Sequence, residues 1–286
     1  MNSENQHWTS ILKPKRGWLD IDLKNIWNYR DLIGLLVRRD FVAYYKQTIL
    51  GPLWFIIQPL FTTIVFTVIF GGMAKIPTDG ADKFKALFYM AGIVCWGYFA
   101  ECLNKTSNTF VSNSGVFGKV YFPRIIIPIS VIISNLITFS IQFLLFVGFI
   151  VYFSFNGFEF HFTSKLLLLP LLLLQMAMLG LGTGIIISSL TTKYRDLTFA
   201  VGFGVQLWMY ASSVVIPFSA ISSPVIKTIL QFNPMVSVIE TFKQIFLGIG
   251  QFNLDLFLFS WLITILLLVI GIILFNRVER NFMDTV

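Results

Sequence analysis

In a chain of 286 residues, 56% are hydrophobic and only 12% are charged, with a formal net charge of +7. Soluble domains carry about a quarter charged residues, so this composition excludes an ordinary water-soluble domain and points to a polytopic membrane protein. The basic surplus sits between long apolar runs, where Lys and Arg set orientation in a bilayer, and that placement argues against nucleic acid as a partner.

The N-terminal stretch lacks the apolar core of a signal peptide, so insertion is expected to rely on the spans themselves. Ahead of the first apolar run, Ile26, Tyr29, Ile33, Leu36, Val37, Phe41 and Tyr44 recur at spacings of three and four, with Lys24, Arg38 and Arg39 elsewhere. This stripe predicts an amphipathic helix in the headgroup plane; a soluble helix docked on a partner domain would show the same pattern. Residues 47–74 then contain no Asp, Glu, Lys or Arg, and roughly 20 apolar residues suffice to cross a bilayer core. Further charge-free runs cover 86–100, 125–158, 166–192, 197–226 and 256–276. The second is the shortest and reaches across only if extended to about Leu103, with Glu101 at an interface.

Positive charge predicts the orientation, because Lys and Arg near span ends are retained in the cytoplasm. With six spans and the N-terminus inside, cytoplasmic segments hold eight basic residues before the first span, then Lys105, Lys119 and Arg124, then Lys193 and Arg195, then Arg277 and Arg280. Only Lys75, Lys83, Lys85, Lys165, Lys227 and Lys243 fall outside. Both termini are therefore expected in the cytoplasm of a multi-pass protein.

Between the fifth and sixth runs, 225–232 and 235–247 are apolar but too short to cross, and Asn233-Pro234 divides them with a turn. A re-entrant helical pair is predicted there. Glu240 and Lys243, three apart, would pair on one face of its second helix and lessen the cost of half-buried charge. Gly180, Gly182 and Gly184 permit close helix approach, expected within one subunit. The expected fold class is all-α: six transmembrane helices, an N-terminal interfacial amphipathic helix and a short re-entrant helical pair between spans five and six. The organisation is 1–48 as cytoplasmic N-terminal segment, 49–276 as six-span transmembrane domain and 277–286 as cytoplasmic tail.

Chemistry is sparse. No phosphate-binding G-x-x-x-x-G-K-[ST] occurs, so any ATP must be hydrolysed by another subunit. No span centre carries an ionisable group, which weakens an ion-coupled transporter. Cys95 and Cys102 share one helix face without metal-site spacing, and His7 and His161 have no ligand cluster nearby, so no metal is expected. No catalytic triad or carboxylate pair is evident, and the chain is expected not to be an enzyme.

Four sets of residues bear a family resemblance. Arg39-Asp40, the run Tyr45-Lys46-Gln47-Thr48-Ile49-Leu50-Gly51-Pro52-Leu53-Trp54 and Gln58-Pro59-Leu60 resemble the first-span signature of polysaccharide-export ABC transporter permeases, the type-2 exporters of O-antigen, teichoic acid and capsule chains. Gly118-Lys119-Val120-Tyr121-Phe122-Pro123-Arg124 with Pro128 is similar to that family's second-to-third-span loop, and Tyr194-Arg195-Asp196-Leu197 to its fourth-to-fifth-span loop. Pro217, Asn233-Pro234-Met235 and Glu240 resemble its outer gate, where Lys243 stands in place of a frequent Arg.

The resemblance implies a permease of an ATP-driven exporter of lipid-linked, O-antigen-like polysaccharide in a bacterial inner membrane. It implies a homodimer, joined to a dimer of cytoplasmic ABC ATPase subunits that carry the ATP and Mg. Asn113, Gly115, Phe117, Lys119 and Arg124, with Arg195 and Asp196, are then the expected coupling contacts to the ATPase, and Pro217, Asn233, Pro234, Glu240 and Lys243 the outer gate. A glycan path at the dimer interface would use Trp54 and Phe61 of the first span and Trp96, Tyr98 and Phe99 of the second, since sugar C–H faces suit aromatic surfaces. Lipid-facing aromatic belts would have the same composition. A drug exporter of the same superfamily would share the fold but would not be expected to carry the Lys119 to Arg124 run; a secondary transporter would need ionisable groups within its spans.

Overall fold

The computed structural model describes residues 23–46, 49–117, 122–159, 164–192, 194 and 196–281. Among these residues the chain is all-helical, with no strand. Two N-terminal helices, α1 (Leu23–Asn28) and α2 (Arg30–Lys46), precede the bundle. The predicted stripe docks on this chain itself: Tyr29, Ile33 and Leu36 pack against a cluster of Phe110, Phe117, Phe122, Ile126, Ile127, Ile185 and Phe275, and α2 runs along α7 (Ile126–Ser154).

The first apolar run begins as a 3-10 turn over Gly51–Leu53, continues as α3 (Trp54–Phe66) and ends as a π-helical stretch, Thr67–Met73. Its last carbonyls lack helical partners, and Lys85 Nζ donates to the Gly71 carbonyl at 2.7 Å. Next comes α4 (Lys85–Ser107), which extends beyond the charge-free run at both ends. Its 23 residues rise about 34 Å, enough to cross. At its far end Glu101 pairs with Lys105 at 2.9 Å, one helical turn on. This helix is the hub: 72% of its apolar window is buried, against 22% for the first span, and it contacts α3, α7, α8 (Leu169–Thr191), α9 (Leu197–Tyr210) and α11 (Pro234–Leu247). Two four-residue helices, α5 (Thr109–Ser112) and α6 (Ser114–Phe117), follow it.

The glycine run works inside the subunit. Gly180 and Gly184 lie on α4 at Cys102 and Thr106, where an added Cβ would come within 2.7 and 2.6 Å. Gly182 turns the other way, onto the backbone of α12 (Leu254–Asn281) at Leu268. Gln175 Nε2 also donates to Ser260 Oγ at 2.8 Å across the α8–α12 seam.

Among the described residues five helices are long and apolar enough to cross a membrane: Gly51–Met73, Lys85–Ser107, Ile126–Ser154, Lys165–Thr191 and Leu254–Glu279. The fifth apolar run, expected to be a full span, departs from the prediction. Its helix α9 stops at Tyr210 after 14 residues, about 21 Å. Ser212 Oγ bends back to the Trp208 carbonyl at 2.9 Å, and the Ala211 carbonyl is taken by Asn233 Nδ2 at 2.7 Å. The chain then continues in turns to Phe218, with Val214 laid directly on α4 at Gly92, where a Cβ would meet Val214 Cα at 3.0 Å. Two helices close the region: α10 (Pro224–Gln231), which has no buried residue, and α11, buried along nearly its whole length.

Candidate functional site

Two places concentrate polar chemistry, at opposite ends of the bundle. At the α10–α11 end, Asn233 caps α11, its side-chain oxygen accepting from Met235 N at 3.1 Å, with Pro234 as the first helical residue. The same Asn233 amide donates to Ala211 O and to Ser212 Oγ at 3.0 Å, so one side chain locks the α10–α11 turn to the end of α9. Gly248 ends α11 in the left-handed region at φ 68°, which glycine adopts without strain.

Inside this lock sit two charges, Glu240 at 2% and Lys243 at 0% exposure. They do not pair with each other, contrary to the expectation from their spacing. Glu240 accepts from Phe218 N through one carboxylate oxygen and from Gln251 N through the other, each at 3.2 Å. Lys243 Nζ donates to the Ser213 carbonyl and stands 3.4 Å over the Phe88 ring. Buried charge needs direct hydrogen bonds more than a distant opposite charge, and the turns on either side of α11 supply the backbone groups. Glu240 thus clamps the Pro217–Phe218 turn to the loop after α11, with Gly250 permitting the approach to the Glu240 backbone. A cavity of about 160 Å³ lined by Lys227, Gln231, Glu240, Gln251 and Asn253 opens beside it. Pro217 is buried within the turn, and Ser219 Oγ donates to Asp79 of the loop before α4. The structure brings Pro217, Asn233, Pro234, Glu240 and Lys243 together.

At the opposite end, the predicted coupling residues fall on unlike surfaces. Gly115 is exposed with open space around it, and Asn113 donates to Thr109 O at 2.9 Å. Phe117 is 3% exposed and packs against Phe110 and Phe122, so it secures the loop from beneath instead of presenting a contact. Arg124 is also buried: its guanidinium donates to the Glu279 carbonyl at 3.1 Å and lies 5.2 Å from the Phe117 ring centre, while its backbone N donates to Glu279 Oε1 at 3.3 Å. Burial pulls the Arg124 pKa below its ordinary value and Glu279 pulls it back up; the group stays charged. Glu279, on the last helix, was not singled out from sequence because nothing local relates it to a residue 155 positions earlier. Asp196 is exposed ahead of α9. Lys119 and Arg195 lie outside the described residues.

The five predicted path residues do not share one surface. Trp54 and Phe61 are 47% and 62% exposed on the open face of the first span. Trp96, Tyr98 and Phe99 face inward instead, with Trp96 and Phe99 edge-on to Trp208 and Tyr98 beside Phe139. The reason is the central place of α4, most of whose surface is covered by neighbours.

Among the described residues no group of His, Cys, Asp or Glu could hold a metal. What the arrangement offers among the described residues is a buried hub, an α10–α11 end locked to α9 and large exposed apolar faces on α3 and α9.

Comparison with known proteins adds to this geometry. The profile of the ABC-2 type transporter family matches residues 31–247. An O-antigen export system permease protein RfbA from Klebsiella pneumoniae is 26% identical over 254 residues, covering 89% of this chain and 94% of that protein. A second K. pneumoniae protein of the same name is 25% identical over the same length. One from Myxococcus xanthus is 26% identical over 227 residues, 78% of this chain and 83% of the relative.

Proposed function

The chain belongs to the ABC-2 type transporter family, and from that premise we infer that it is the permease subunit of an exporter of O-antigen-like polysaccharide. The similarity to the O-antigen export permeases, which runs through almost the whole length of both chains, is the observation that carries this reading. It is a multi-pass membrane transport subunit. We further propose that the glycan is lipid-linked, that the membrane is the bacterial inner membrane and that two copies join two ABC ATPase subunits holding ATP and Mg.

A second copy is favoured by the unpartnered faces of the protomer. Phe199, Phe203 and Leu207 of α9 are 84%, 66% and 52% exposed, and α9 buries only Val205. Trp54 and Phe61 lie on the open side of the first span, and they are the proposed lining of a path between copies, with Trp96, Tyr98 and Phe99 backing the wall from inside. On this reading α9 and the turns to Phe218 together make the fifth crossing. Non-helical backbone is tolerated at membrane depth where protein buries it, and Ser212, Ser213, Val214 and Val215 are all buried. The Glu240 clamp then serves as the outer gate, and α5, α6, Lys119, Arg195 and Asp196 meet the ATPase.

Topology is testable directly. With Cys95 and Cys102 replaced by alanine, single cysteines at Lys83 and Phe252 should react with an impermeant reagent added outside intact cells, whereas Gly115→Cys and Thr192→Cys should not. Labelling of Gly115→Cys from outside would overturn the proposed orientation. For function, deletion of the gene should abolish the surface glycan while its lipid-linked precursor accumulates inside. Lys119→Glu with Arg195→Glu should cut export severalfold at normal insertion; unchanged export would leave those charges as topology anchors. A normal surface glycan in the deletion strain would overturn the exporter reading.

A further inference from the structure

Where α2 lies against the bundle, the structure holds a cavity of about 660 Å³, within the range of small-molecule sites. Arg39 and Asp40 of α2, Asn104 and Lys105 of α4, and Ser134 and Asn135 of α7 contribute its polar walls. Asn135 is 2% exposed, and its side-chain oxygen accepts from Lys105 Nζ at 2.8 Å. Asp40 is held twice: Arg39 donates to one carboxylate oxygen at 2.8 and 3.0 Å, and Ser134 Oγ to the other at 3.4 Å. Lys105 has its carboxylate partner, Glu101, outside the cavity wall. Two cations thus enter from different helices, and the single lining carboxylate already has its hydrogen bonds.

Depth narrows the ligand. The 29 residues of α7 rise about 43 Å, more than the roughly 30 Å hydrocarbon core, so the turns at its ends, the first among them, reach into the headgroup layers. Ser134 and Asn135 follow directly on its first two turns, and α2 is an amphipathic helix of the kind that lies in the same layer. A polar cavity at this level faces lipid headgroups rather than hydrocarbon or bulk water. Paired Arg and Lys donors are the recurrent recognition chemistry for phosphate oxygens, Arg through its fork and Lys as a point charge.

We propose that this cavity binds the phosphate ester of a membrane-embedded lipid, with Lys105 and Arg39 on its anionic oxygens and the Asn104 and Asn135 amides orienting them. The inference rests on the permease reading in one respect only: the phosphate is then that of the glycan's own polyprenyl carrier or that of a bilayer phospholipid, two sources of one chemistry.

Purified full-length permease, without ATPase or ATP, can be titrated by native mass spectrometry with a polyprenyl phosphate, with short-chain phosphatidylglycerol and with an uncharged diacylglycerol. At least one phosphate lipid should bind well above the uncharged control, and Lys105→Gln should weaken it about tenfold, the scale of one lost charge-assisted hydrogen bond. Lys105→Arg should retain most of the affinity. Glu101→Gln removes the ion pair of Lys105 but not the cavity wall, so it should leave binding unchanged or tighter. Preference for the polyprenyl phosphate assigns the carrier, and preference for phosphatidylglycerol assigns the bilayer; either supports the site. Equal binding of the uncharged lipid overturns it, as does equal weakening by Lys105→Gln and Glu101→Gln, which would reduce Lys105 to a structural ion-pair partner. Because export in cells is a separate readout, loss of this site leaves the permease reading standing, and loss of the permease reading leaves phosphate binding measurable.

Discussion

Replacement of Glu240 by alanine is expected to cost about 3–5 kcal/mol, since each hydrogen bond to a charged group contributes about 1.5–3 kcal/mol and two are lost, and to remove most of the protein from the membrane fraction. Three consequences converge on that change. The amide groups of Phe218 and Gln251 lose their acceptors, and the buried Phe218 amide is left unsatisfied at about 1–3 kcal/mol. The turn between α9 and α10 is released from the loop after α11, and Lys243 loses the strongest favourable interaction with an opposite charge. Glu240→Gln keeps one carbonyl acceptor and should fall between alanine and wild type. Lys243→Met keeps the volume and removes the ammonium, leaving chiefly the Ser213 carbonyl without its donor. Membrane abundance and the thermal unfolding midpoint in mild detergent measure all three; a wild-type midpoint for Glu240→Ala would refute the clamp.

Gly182→Leu should be worse tolerated than any change at the neighbouring exposed helix positions, because the seam between α8 and α12 has no room. A Cβ at Gly182 would stand 2.8 Å from Leu268 backbone atoms, and one at Gly271 would stand 2.7 Å from the Gly182 carbonyl. Overpacking a dense interior typically costs about 1–3 kcal/mol, so Gly182→Ala and Gly271→Ala should each lie in that range and Gly182→Leu should prevent stable folding. Gly148 is the control, since a Cβ there would meet nothing within 4 Å. Alanine in mid-helix at such a site is favoured by about 0.5–1 kcal/mol, so Gly148→Ala should be neutral or stabilising. Unfolding of the purified variants separates the two cases, and equal behaviour of Gly182→Ala and Gly148→Ala would mean that the helices can part.

Helix identity was legible in the chain because it depends on local spacing. Charge-free runs mark apolar helices, the stripe from Ile26 to Tyr44 marks α1 and α2, and Asn233-Pro234 marks a helix start after a turn. The motif resemblance and the matched family agree for the same reason: both read residues in chain order. The polar cluster around α11 was therefore locatable, down to Pro217, Asn233 and Glu240, before any packing was known.

Tertiary structure decided the partners and the facings. Spacing put Glu240 beside Lys243, yet each found backbone groups delivered by other segments, Phe218, Gln251 and Ser213, which no periodicity could bring near. Aromatic composition suggested that Trp96 and Phe99 front a path, but the central position of α4 turns them onto Trp208. The fifth run has the composition of a span, and its helix still ends at Tyr210, because Asn233 from beyond the turn takes the Ala211 carbonyl and Gly92 makes room for Val214. Composition along a chain determines which solvent a segment prefers; which neighbour satisfies a buried polar group depends on distances in space, and those exist only after the helices have met.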